Sequence, residues 1–514
     1  MVVRDELLVI IDITPTVVRA GVGVYDLIRR PQIEVSTRIG RKLNSATPPK
    51  LTDYVVGHLI AQAQDQGQQL DFIQSIQHGP FGMTINDWTA FAALMRYVFH
   101  QGLSLPRPPL AHPCFVSIPP HLPTRLVDEL HSFFFEHMLI PQLLIASRPF
   151  VASAAAGVTN AIVVDIGARG EQTTISIIND NHLIERANMS TRLLNEGILD
   201  DYLAIKILEK DSTLLNTLSQ SQSQQQQSDD ENQSLTPESL SWAMRTIVHS
   251  LKETNSIGFQ SPLFQSKTGT NNLSTSNQNV DSMLGNEEGE LDVAKVLIEG
   301  KLDKIVNKKS TTKTNNSTTN KEEGDFVSIP NPFDSNLPNI KIGPVRHQYL
   351  EPLFEPVVLE CLNPLKSNLA LELGFKEYEG LETLHTGLQE MMGVVLGQID
   401  KIEDRASALE SVVVVSTGKV ANNRALGSTL VTLLSPYSID NDSTHESSTK
   451  TTRYIKTPDY FSEFKTREGE LTCFLGSSIL SKILISDLQS RLFMSKVDYS
   501  QKGPSFYRLL DLIV

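Results

Sequence analysis

The chain has 514 residues, of which 40% are hydrophobic, and its formal net charge is −14. A chain of this length is too long for a single hydrophobic core and long enough for two or more. The acidic balance argues against a broad basic surface for duplex DNA, so we expect no direct sequence-specific DNA binding.

The cysteine content is low, and the three cysteines are Cys114, Cys361 and Cys473. They stand too far apart for a disulfide framework or a zinc-ligand pattern, which suits a reducing compartment and gives no metal site. No apolar run approaches the ~18 residues of a membrane span. The N-terminal segment has the pattern of a strand rather than of a signal peptide. We therefore expect a soluble, intracellular protein with no membrane partner.

The N-terminal segment predicts a hairpin. An apolar run from Leu7 delivers Asp12 into a turn, and a second strand follows at 17–22. The basic stretch 25–43 is interpreted as a solvated surface with an exposed loop, in preference to a nucleic-acid patch. Residues 51–75 are rich in Gln and are predicted to be helical.

The next part of the chain alternates helices and strands. Asn86 or Asp87 caps a helix whose aromatic residues recur at helical spacing, which indicates core packing rather than a cofactor site. His131 and His137 do not share a helical face, so we expect no metal site there. The predicted elements are a turn at 76–80, the helix after residue 87, a strand at 115–118, a helix at 124–138, a strand at 143–145 and a small-residue helix at 151–156.

A second hairpin is predicted within 161–178. The apolar run from Ala161 ends on Asp165, and the turn at Gly167 leads into a second strand at 172–178. An Asp and a Gly in the mouth of a hairpin can hold a phosphate or a metal-bound water. Because the N-terminal hairpin has the same pattern about 150 residues earlier, we expect two similar lobes that face each other across a cleft.

Beyond residue 208 the composition changes. Tracts at 219–228, 254–279 and 307–320 are rich in polar residues, and we expect them to be mobile because they cannot bury enough apolar surface to offset the entropy of ordering. Two islands with helical spacing, 240–251 and 291–302, could pack on the body of the protein. The later predicted elements are helices at 351–362 and 380–402, a buried strand at 412–415, a polar loop at 436–450 and an apolar segment at 471–485.

Several motifs resemble those of the actin family and keep the family's order along the chain. Together they identify the chain as a member of that family. The matching motifs are Ile76-Gln77-His78-Gly79 with Trp88, Asp200-Asp201-Tyr202-Leu203 before Lys206-Ile207-Leu208, Phe474-Leu475-Gly476-Ser477-Ser478-Ile479-Leu480, and Met494-Ser495-Lys496 with Tyr499 and Gly503-Pro504-Ser505.

Within the family, segments 291–301 and 457–465 most resemble the actin-related protein 9 group of fungal SWI/SNF- and RSC-type chromatin remodellers. The resemblance implies an α/β, two-lobed actin/Hsp70/hexokinase-like fold with four subdomains and a long low-complexity insertion. It implies location in the nucleus. The implied partners are an actin-related protein 7-like subunit, a long helical segment that precedes the remodeller's ATPase motor, and other remodeller subunits.

The resemblance also divides the chain into subdomains. The expected boundaries are 1–32, 76–155 and 471–514 for subdomain 1, 33–75 for subdomain 2, 156–192 and 396–470 for subdomain 3, and 193–395 for subdomain 4, with mobile insertions at about 216–340.

The residues of the expected nucleotide cleft depart from the actin pattern. Actin's first phosphate loop has a Gly-Ser-Gly core, whereas this chain has Thr14-Pro15-Thr16, and proline has no N–H to donate. Ala168 takes the place of an acidic residue, and Arg148 takes the place of the glutamine that positions the attacking water. Since hydrolysis depends on positioning and charge stabilisation, we expect a very poor ATPase with no catalytic residue and no metal.

A vestigial cleft could still bind ATP without hydrolysing it, although we expect no cofactor. Alternatively, the retained residues only fix the turns of the hairpins. The residues that would line this cleft are Asp12, Arg19, Asp165, Gly167, Gly197 and Gly418, with Arg19 in the place of the phosphate-binding lysine.

The leading hypothesis is a non-catalytic scaffold that takes an amphipathic helix in the groove between subdomains 1 and 3. The residues expected near this groove are Ala154, Ala156, Leu480 and Ile483, for which ordinary core packing is the alternative interpretation. A second hypothesis is an active ATPase or sugar kinase of the same superfold, and a weaker form of it is an actin-fold protein that still binds or slowly hydrolyses ATP. A third is a filament-forming actin, which the long inserts argue against.

A loose basic tract between Lys301 and Lys313 could serve as a nuclear import signal. A solvated loop is the simpler interpretation of that tract.

Overall fold

The computed structural model describes residues 5–24, 28–43, 48–79, 82–211, 213–225, 236–254, 256–258, 326–334, 336–375, 378, 380, 386–437, 451–486 and 492–509. The chain forms two units, one of residues 1–259 with 328–514 and the other of residues 260–327. The described part of the second unit is limited to residues 326 and 327.

The strands alternate with helices along the chain. The strands are β1 (Val9–Ile13), β2 (Val17–Val22), β3 (Ile33–Ser36), β4 (Arg38–Lys42), β5 (Tyr54–Val55), β6 (Leu70–Gln74), β7 (Gln77–Gly79), β8 (Gly82–Thr84), β9 (Cys114–Ile118), β10 (Gln142–Ser147), β11 (Ala161–Ile166), β12 (Thr173–Asn179), β13 (His182–Thr191), β14 (Val327–Ile329), β15 (Ile340–Ile342), β16 (Ser411–Ser416), β17 (Arg453–Tyr454) and β18 (Met494–Ser495).

Among the described residues, the α-helices vary from one turn to five turns in length. They are α1 (Leu59–Asp65), α2 (Trp88–Arg96), α3 (Thr124–Ser132), α4 (Arg148–Ala156), α5 (Glu196–Lys210), α6 (Thr213–Gln225), α7 (Pro237–Glu253), α8 (Glu351–Phe354), α9 (Asn368–Glu372), α10 (Leu388–Gly397), α11 (Ile402–Leu409), α12 (Arg424–Leu434), α13 (Glu468–Ser486) and α14 (Lys496–Lys502).

Two sheets built on the same plan confirm the predicted two-lobed α/β fold. The first has the order β18-β10-β9-β1-β2-β3, and the second has the order β13-β12-β11-β16-β17. In each sheet a hairpin supplies a central strand, β1 or β11, that also pairs in parallel with a later strand, β9 or β16. The two predicted hairpins are therefore equivalent parts of two lobes.

Side chains alternate between the two faces of a strand, so the positions of Asp12 and Asp165 in their strands determine the face on which each carboxylate lies. In β1, Val9, Ile11 and Ile13 face one core cluster, so Ile10 and Asp12 face the opposite side of the sheet. In β11, Ala161 and Val163 face the cluster that contains Phe150 of α4, and Asp165 shares their face. Both carboxylates thus point towards the space around α4.

Helix α4 joins the two lobes. It follows β10 of the first sheet, precedes β11 of the second, and contacts strands of both. It packs closely against α13, where a Cβ at Gly476 would overlap the carbonyl oxygen of Val151. The small residues predicted for this helix allow that approach, and the helix begins at Arg148, three residues before the predicted start.

The prediction for residues 51–75 is wrong. Only Leu59–Asp65 is α-helical, and β5 and β6 flank it. Helix propensity is overridden here because β6 pairs with β4, where Ile73 lies opposite Ile39. The stretch 25–43 contains β3 and β4, so it is not simply an exposed loop. Gln77–Gly79, predicted as a turn, forms β7.

Other predictions agree with the structure more closely. Asp87 caps α2, accepting from the N–H groups of Thr89 at 2.9 Å and Ala90 at 3.0 Å. The strands predicted at 115–118, 143–145 and 412–415 are confirmed as β9, β10 and β16, and the island 240–251 is confirmed within α7. The helix predicted at 124–138 begins as α3 and continues as a π-helix at Phe133–His137.

The polar tracts are largely outside the described residues. The tract 219–228 was predicted to be mobile, but its first part belongs to α6, which extends to Gln225. The helix predicted at 380–402 is shorter than expected, and Leu388–Gly397 is its described core. The island 291–302, the basic tract 301–313 and residues 438–450 of the polar loop lie outside the described residues.

Candidate functional site

Arg148 occupies the point where the two hairpins meet. Its Nη1 donates to both oxygens of Asp12, at 2.7 and 2.8 Å. Its Nε donates to Oδ2 of Asp165 at 2.7 Å. Ser117 of β9 also donates to Asp12, at 2.8 Å. The first residue of α4 therefore joins the two carboxylates that the hairpins deliver.

This ion-pair cluster is almost fully removed from solvent. Arg148 and Asp12 are 1% and 0% exposed, and Asp165 is 7% exposed. Burial alone would lower the pKa of the Arg148 guanidinium, but the adjacent carboxylates of Asp12 and Asp165 outweigh that effect and hold its pKa well above the usual value. The positive charge of Arg148 is consequently permanent and is matched by two carboxylates.

Arg19 forms a second connection between the lobes. In β2 it lies opposite Asp12, and its Nη1 is 3.6 Å from Oδ2 of that residue. Its Nη2 donates to the carbonyl oxygen of Thr417, in the turn after β16, at 2.8 Å. The guanidinium also contacts Glu34 at 3.1 Å and Glu470 at 2.9 Å. Arg19 is 1% exposed, so its guanidinium is not accessible to a ligand from solvent.

Arg467 completes the charge balance around Arg19. It donates to both oxygens of Glu34, at 2.6 and 2.7 Å, and to Oε2 of Glu470 at 2.8 Å. Burial would raise the pKa of Glu34, but the hydrogen bonds and charges of Arg467 and Arg19 lower it below its usual value. Both glutamates are thus bonded to the neighbouring arginines.

The first loop, Thr14-Pro15-Thr16, has its polar groups hydrogen-bonded to other groups of the protein. The N–H and hydroxyl of Thr14 donate to the carbonyl oxygen of Val17, at 3.0 and 2.9 Å. The carbonyl of Pro15 accepts from the hydroxyl of Thr37. The N–H and hydroxyl of Thr16 both donate to Oε1 of Glu171, at 2.9 and 2.6 Å.

Glu171 reaches the second loop with its other oxygen. Oε2 accepts from the N–H of Ala168 at 2.9 Å, and the side chain is buried, with the residue 3% exposed. Gly167, predicted to line the cleft, donates its N–H to the hydroxyl of Thr173 at 3.2 Å. A Cβ at Gly167 would lie 2.5 Å from the carbonyl oxygen of Gln172, so this close turn requires a glycine.

Gly418, in the turn after β16, is in contact with another buried carboxylate. A Cβ at this glycine would overlap Oε2 of Glu196, which accepts from the N–H of Lys419 at 3.0 Å. Lys252 binds Oε1 of Glu196 at 2.8 Å and Oδ1 of Asp200 at 2.8 Å. Burial would lower the pKa of the Lys252 amine, but the charges of Glu196 and Asp200 raise it above its usual value.

Gly197 lies beneath a further ion pair. Its carbonyl oxygen accepts from Nη2 of Arg169 at 2.9 Å, and the same guanidinium binds Asp201 at 2.8 and 2.9 Å. A Cβ at Gly197 would lie 2.6 Å from Cγ of Arg169. Tyr378 donates to Asp201 at 2.6 Å. Arg169, in the second loop, therefore covers the glycine that the sequence assigned to the cleft.

These contacts do not fit a bound nucleotide. A phosphate would need free N–H donors in the two loops, but Pro15 has none and those of Thr16 and Ala168 are used by Glu171. A cation beside Asp12 and Asp165 would have to displace Arg148. Within the described part of the chain, no group of three His, Cys, Asp or Glu side chains is arranged to hold a metal ion.

The four residues predicted for the partner groove differ in exposure. Ala156 is buried in the core cluster that also contains Phe150 and Cys473, so it belongs to the core rather than to an accessible groove. Ala154 is half-buried, and Leu480 is half-buried and packs against that cluster. Ile483 of α13 is 57% exposed. Ile483 is thus the most accessible of the four.

No helix among the described residues has the length and apolar character needed to cross a bilayer.

Sequence reasoning identified Asp12, Asp165, Arg19 and Arg148 but missed the carboxylates that contact the loops. Glu171 and Thr16 are 155 residues apart, and Glu196 and Lys419 are 223 apart. No local pattern marks Lys252.

Comparison with known proteins gives one family and several distant relatives. The model of the actin family, described as Actin, matches residues 5–508. The chain is 28% identical over 116 residues to actin-related protein 4 of Arabidopsis thaliana, covering 23% of this chain and 25% of that protein. It is 24% identical over 228 residues to the SWI/SNF and RSC complexes subunit arp9 of Schizosaccharomyces pombe, covering 37% of this chain and 42% of that protein.

A third relative is actin-like protein 9 of Mus musculus, which is 27% identical over 134 residues, covering 26% of this chain and 31% of that protein. The matched region is less than half of the length of each of these three relatives.

Proposed function

This chain belongs to the actin family, and from that premise we propose that it is a non-catalytic scaffold subunit of a chromatin-remodelling complex. It pairs with a second, actin-related protein 7-like subunit and binds a long helix that precedes the ATPase motor of the remodeller. Through these contacts it supports nucleosome remodelling and the regulation of transcription, and it acts in the nucleus.

The position of Arg148 carries the non-catalytic part of the proposal. Phosphoryl transfer to water needs a metal-bound phosphate chain and a positioned water molecule. Here a guanidinium binds both Asp12 and Asp165 at 2.7 Å, at the point where the two hairpins converge. The cleft therefore uses its two acidic groups for structure, and we propose that it holds no ATP and does not hydrolyse it.

The relatives support the assignment to a remodeller. The Schizosaccharomyces pombe relative is named as a subunit of SWI/SNF and RSC complexes. The segments that resemble actin-related protein 9, 291–301 and 457–465, contain none of the residues expected to line the cleft. Membership of a complex explains why an actin-like fold would persist after its cleft had lost the groups that hydrolysis requires.

The exposed part of α13 supports the proposed mode of helix binding. Ile483 is 57% exposed, and the half-buried Leu480 lies one turn before it on the same helix. Residues three apart share a helical face, so the two side chains present a short apolar stripe. An amphipathic helix recognises such a stripe through apolar residues spaced by three and four positions.

A reconstitution tests the proposal. The full chain is mixed with its actin-related partner and with a recombinant helical segment taken from immediately before a remodeller motor, and the mixture is analysed by size-exclusion chromatography. We expect one complex that contains all three components. Failure to bind any such helix in the presence of the partner would contradict the proposed function. Affinity purification of the chain, followed by identification of named remodeller subunits, gives an independent check.

A further inference from the structure

The carboxylate of Glu171 is bonded to both lobes at once. It belongs to the second lobe, yet Oε1 accepts two hydrogen bonds from Thr16 of the first lobe, at 2.9 and 2.6 Å. Oε2 accepts from the N–H of Ala168, in its own loop, at 2.9 Å. The residue is 3% exposed. A single buried side chain thus takes donors from both loops that face the cleft.

Backbone N–H groups in turns form a concave site that favours anions. A buried carboxylate is costly unless hydrogen bonds replace its water shell, and charge-assisted bonds to N–H and O–H groups do so effectively. Among the described residues, no Lys or Arg nitrogen lies within 4 Å of the Glu171 carboxylate. Its direct stabilisation therefore comes from the donors of the two loops, as it would for a bound anion.

We propose that Glu171 is an internal ligand that fills an anion cradle between the two loops and holds the lobes together without a bound anion. The cradle consists of the N–H and hydroxyl of Thr16 and the N–H of Ala168. Its chemistry suits an oxyanion of the phosphate or pyrophosphate class, which Glu171 excludes. This inference rests on the proposed non-catalytic function and extends it, because it identifies what occupies the phosphate side of the cleft.

Glu171 acts independently of Arg148. The arginine binds the two aspartates at the strand ends, whereas the glutamate binds backbone donors in the turns beyond them. Removing Glu171 leaves the Arg148 cluster intact and exposes donors that favour a small anion. Pyrophosphate is therefore a better probe of the cradle than ATP, whose nucleoside would need contacts beyond the two loops.

The test compares the full-length wild type with Glu171→Ala by calorimetric titration with sodium pyrophosphate. Truncation at Ala frees the three donors, and since each charge-assisted bond contributes strongly, we expect E171A to bind pyrophosphate at least about tenfold more tightly than the wild type. Hydrogen exchange of segments 14–17 and 167–171 should be at least about tenfold faster in E171A and should slow again with pyrophosphate.

Glu351→Ala is the matched control. Glu351 is also a buried glutamate, 9% exposed, and accepts from the hydroxyl of Tyr202 at 2.6 Å away from both loops. We expect E351A to bind pyrophosphate no better than the wild type. A folded E171A with neither tighter pyrophosphate binding nor faster exchange would overturn the inference, as would an equal gain in E351A.

If E171A does not fold, Glu171→Gln tests the inference instead. Glutamine keeps the volume of the side chain but replaces one acceptor oxygen by an N–H₂ group, which cannot accept from a loop donor. Exchange at Thr16 or Ala168 should then be at least about tenfold faster than in the wild type, and unchanged exchange would overturn the inference. ATP hydrolysis by the wild type would instead overturn the proposed function, whatever the Glu171 variants do.

Discussion

Arg148 donates from a single nitrogen, Nη1, to both carboxylate oxygens of Asp12, at 2.7 and 2.8 Å. The remaining guanidinium nitrogens face Asp165, so the same side chain spans the ends of β1 and β11. A residue of the helix that joins the lobes in this way connects the ends of the two central strands. We therefore expect the stability of the fold and the proposed lack of ATP hydrolysis to depend on the same ion-pair cluster.

Replacing Arg148 by glutamine should strongly destabilise the fold. Asp12 and Asp165 would remain buried without their shared cation, and breaking a buried pair in this way costs about 3–5 kcal/mol. Urea denaturation of R148Q would measure the loss in the free energy of unfolding. Adding Asp12→Asn should recover part of that loss, since one of the unpaired charges is then removed.

The control for Arg148 is Arg125→Gln. Arg125 pairs with Glu129 at 2.9 Å on the surface of α3, and its side chain is 89% exposed. An exposed pair contributes about 0.5 kcal/mol or less, so the midpoint of R125Q should stay close to that of the wild type. Equal losses in R148Q and R125Q would contradict the structural role assigned to the buried cluster.

Gly476→Ala should separate α4 from α13. A Cβ at this position would overlap the carbonyl oxygen of Val151, which is backbone and cannot rotate away. We expect a loss of roughly 1–3 kcal/mol or more in the free energy of unfolding, as for other overpacked sites. Gly397→Ala serves as the control, because nothing lies within 4 Å of its Cβ position. Thermal denaturation of both variants measures the effect, and G397A should be neutral or slightly stabilising.

The buried His131 predicts a component of acid instability. Burial lowers the pKa of His131 from 6.5 to about 4, although its hydrogen bond to the carbonyl of Val127 and the charge of Asp128 act in the opposite direction. Below pH 6.5 the unfolded chain binds a proton that the folded chain does not. This difference in proton binding leaves the free energy of unfolding unchanged above pH 6.5. As the pH falls from 6.5 towards 4, it lowers the free energy of unfolding by roughly 3 kcal/mol in total.

Histidine-to-phenylalanine variants isolate that component. His131→Phe keeps a ring that can stack on Tyr507, at the position where the two ring centroids are 4.5 Å apart. The free energy of unfolding of H131F should fall less steeply between pH 6.5 and 4 than that of the wild type. His137→Phe, at an exposed position of the same segment, should retain the wild-type slope. An identical slope in all three proteins would refute the assignment.

Ile483→Asp should weaken the binding of the proposed partner helix without unfolding the chain. The side chain is 57% exposed, so a charge there meets water in the free protein but would be buried in the complex. We expect at least about a tenfold rise in the Kd, measured by fluorescence anisotropy with a labelled helix. Ile402→Asp, at a 60% exposed site on α11, should bind as the wild type does.

Local sequence patterns were sufficient for the two hairpins and for α4. Apolar, β-branched runs that end on Asp12 and Asp165 specify buried strands followed by turns, and the structure has these strands at Val9–Ile13 and Ala161–Ile166. The helix predicted for the Gln-rich segment 51–75 is wrong, because strand β6 is stabilised by pairing with β4 rather than by its own composition.

The occupants of the cleft depend on contacts between distant segments. Arg148 could be placed from the family resemblance, and the structure has it as the first residue of α4. Glu171 and Glu196 bind partners more than a hundred residues away, and one sequence carries no signal for such pairs. The chemical departures at Pro15 and Ala168 are therefore visible in the sequence, whereas the positions of Glu171 and Glu196 beside the loops follow only from the three-dimensional fold.

The most direct test of the non-catalytic account is an isotope-release assay with γ-labelled ATP and the purified full-length chain. Because Arg148 holds Asp12 and Asp165 and Glu171 holds the loop donors, we predict no release above the rate of a buffer blank. Release of labelled phosphate by the wild type that disappears in Asp12→Ala or Asp165→Ala would contradict the account.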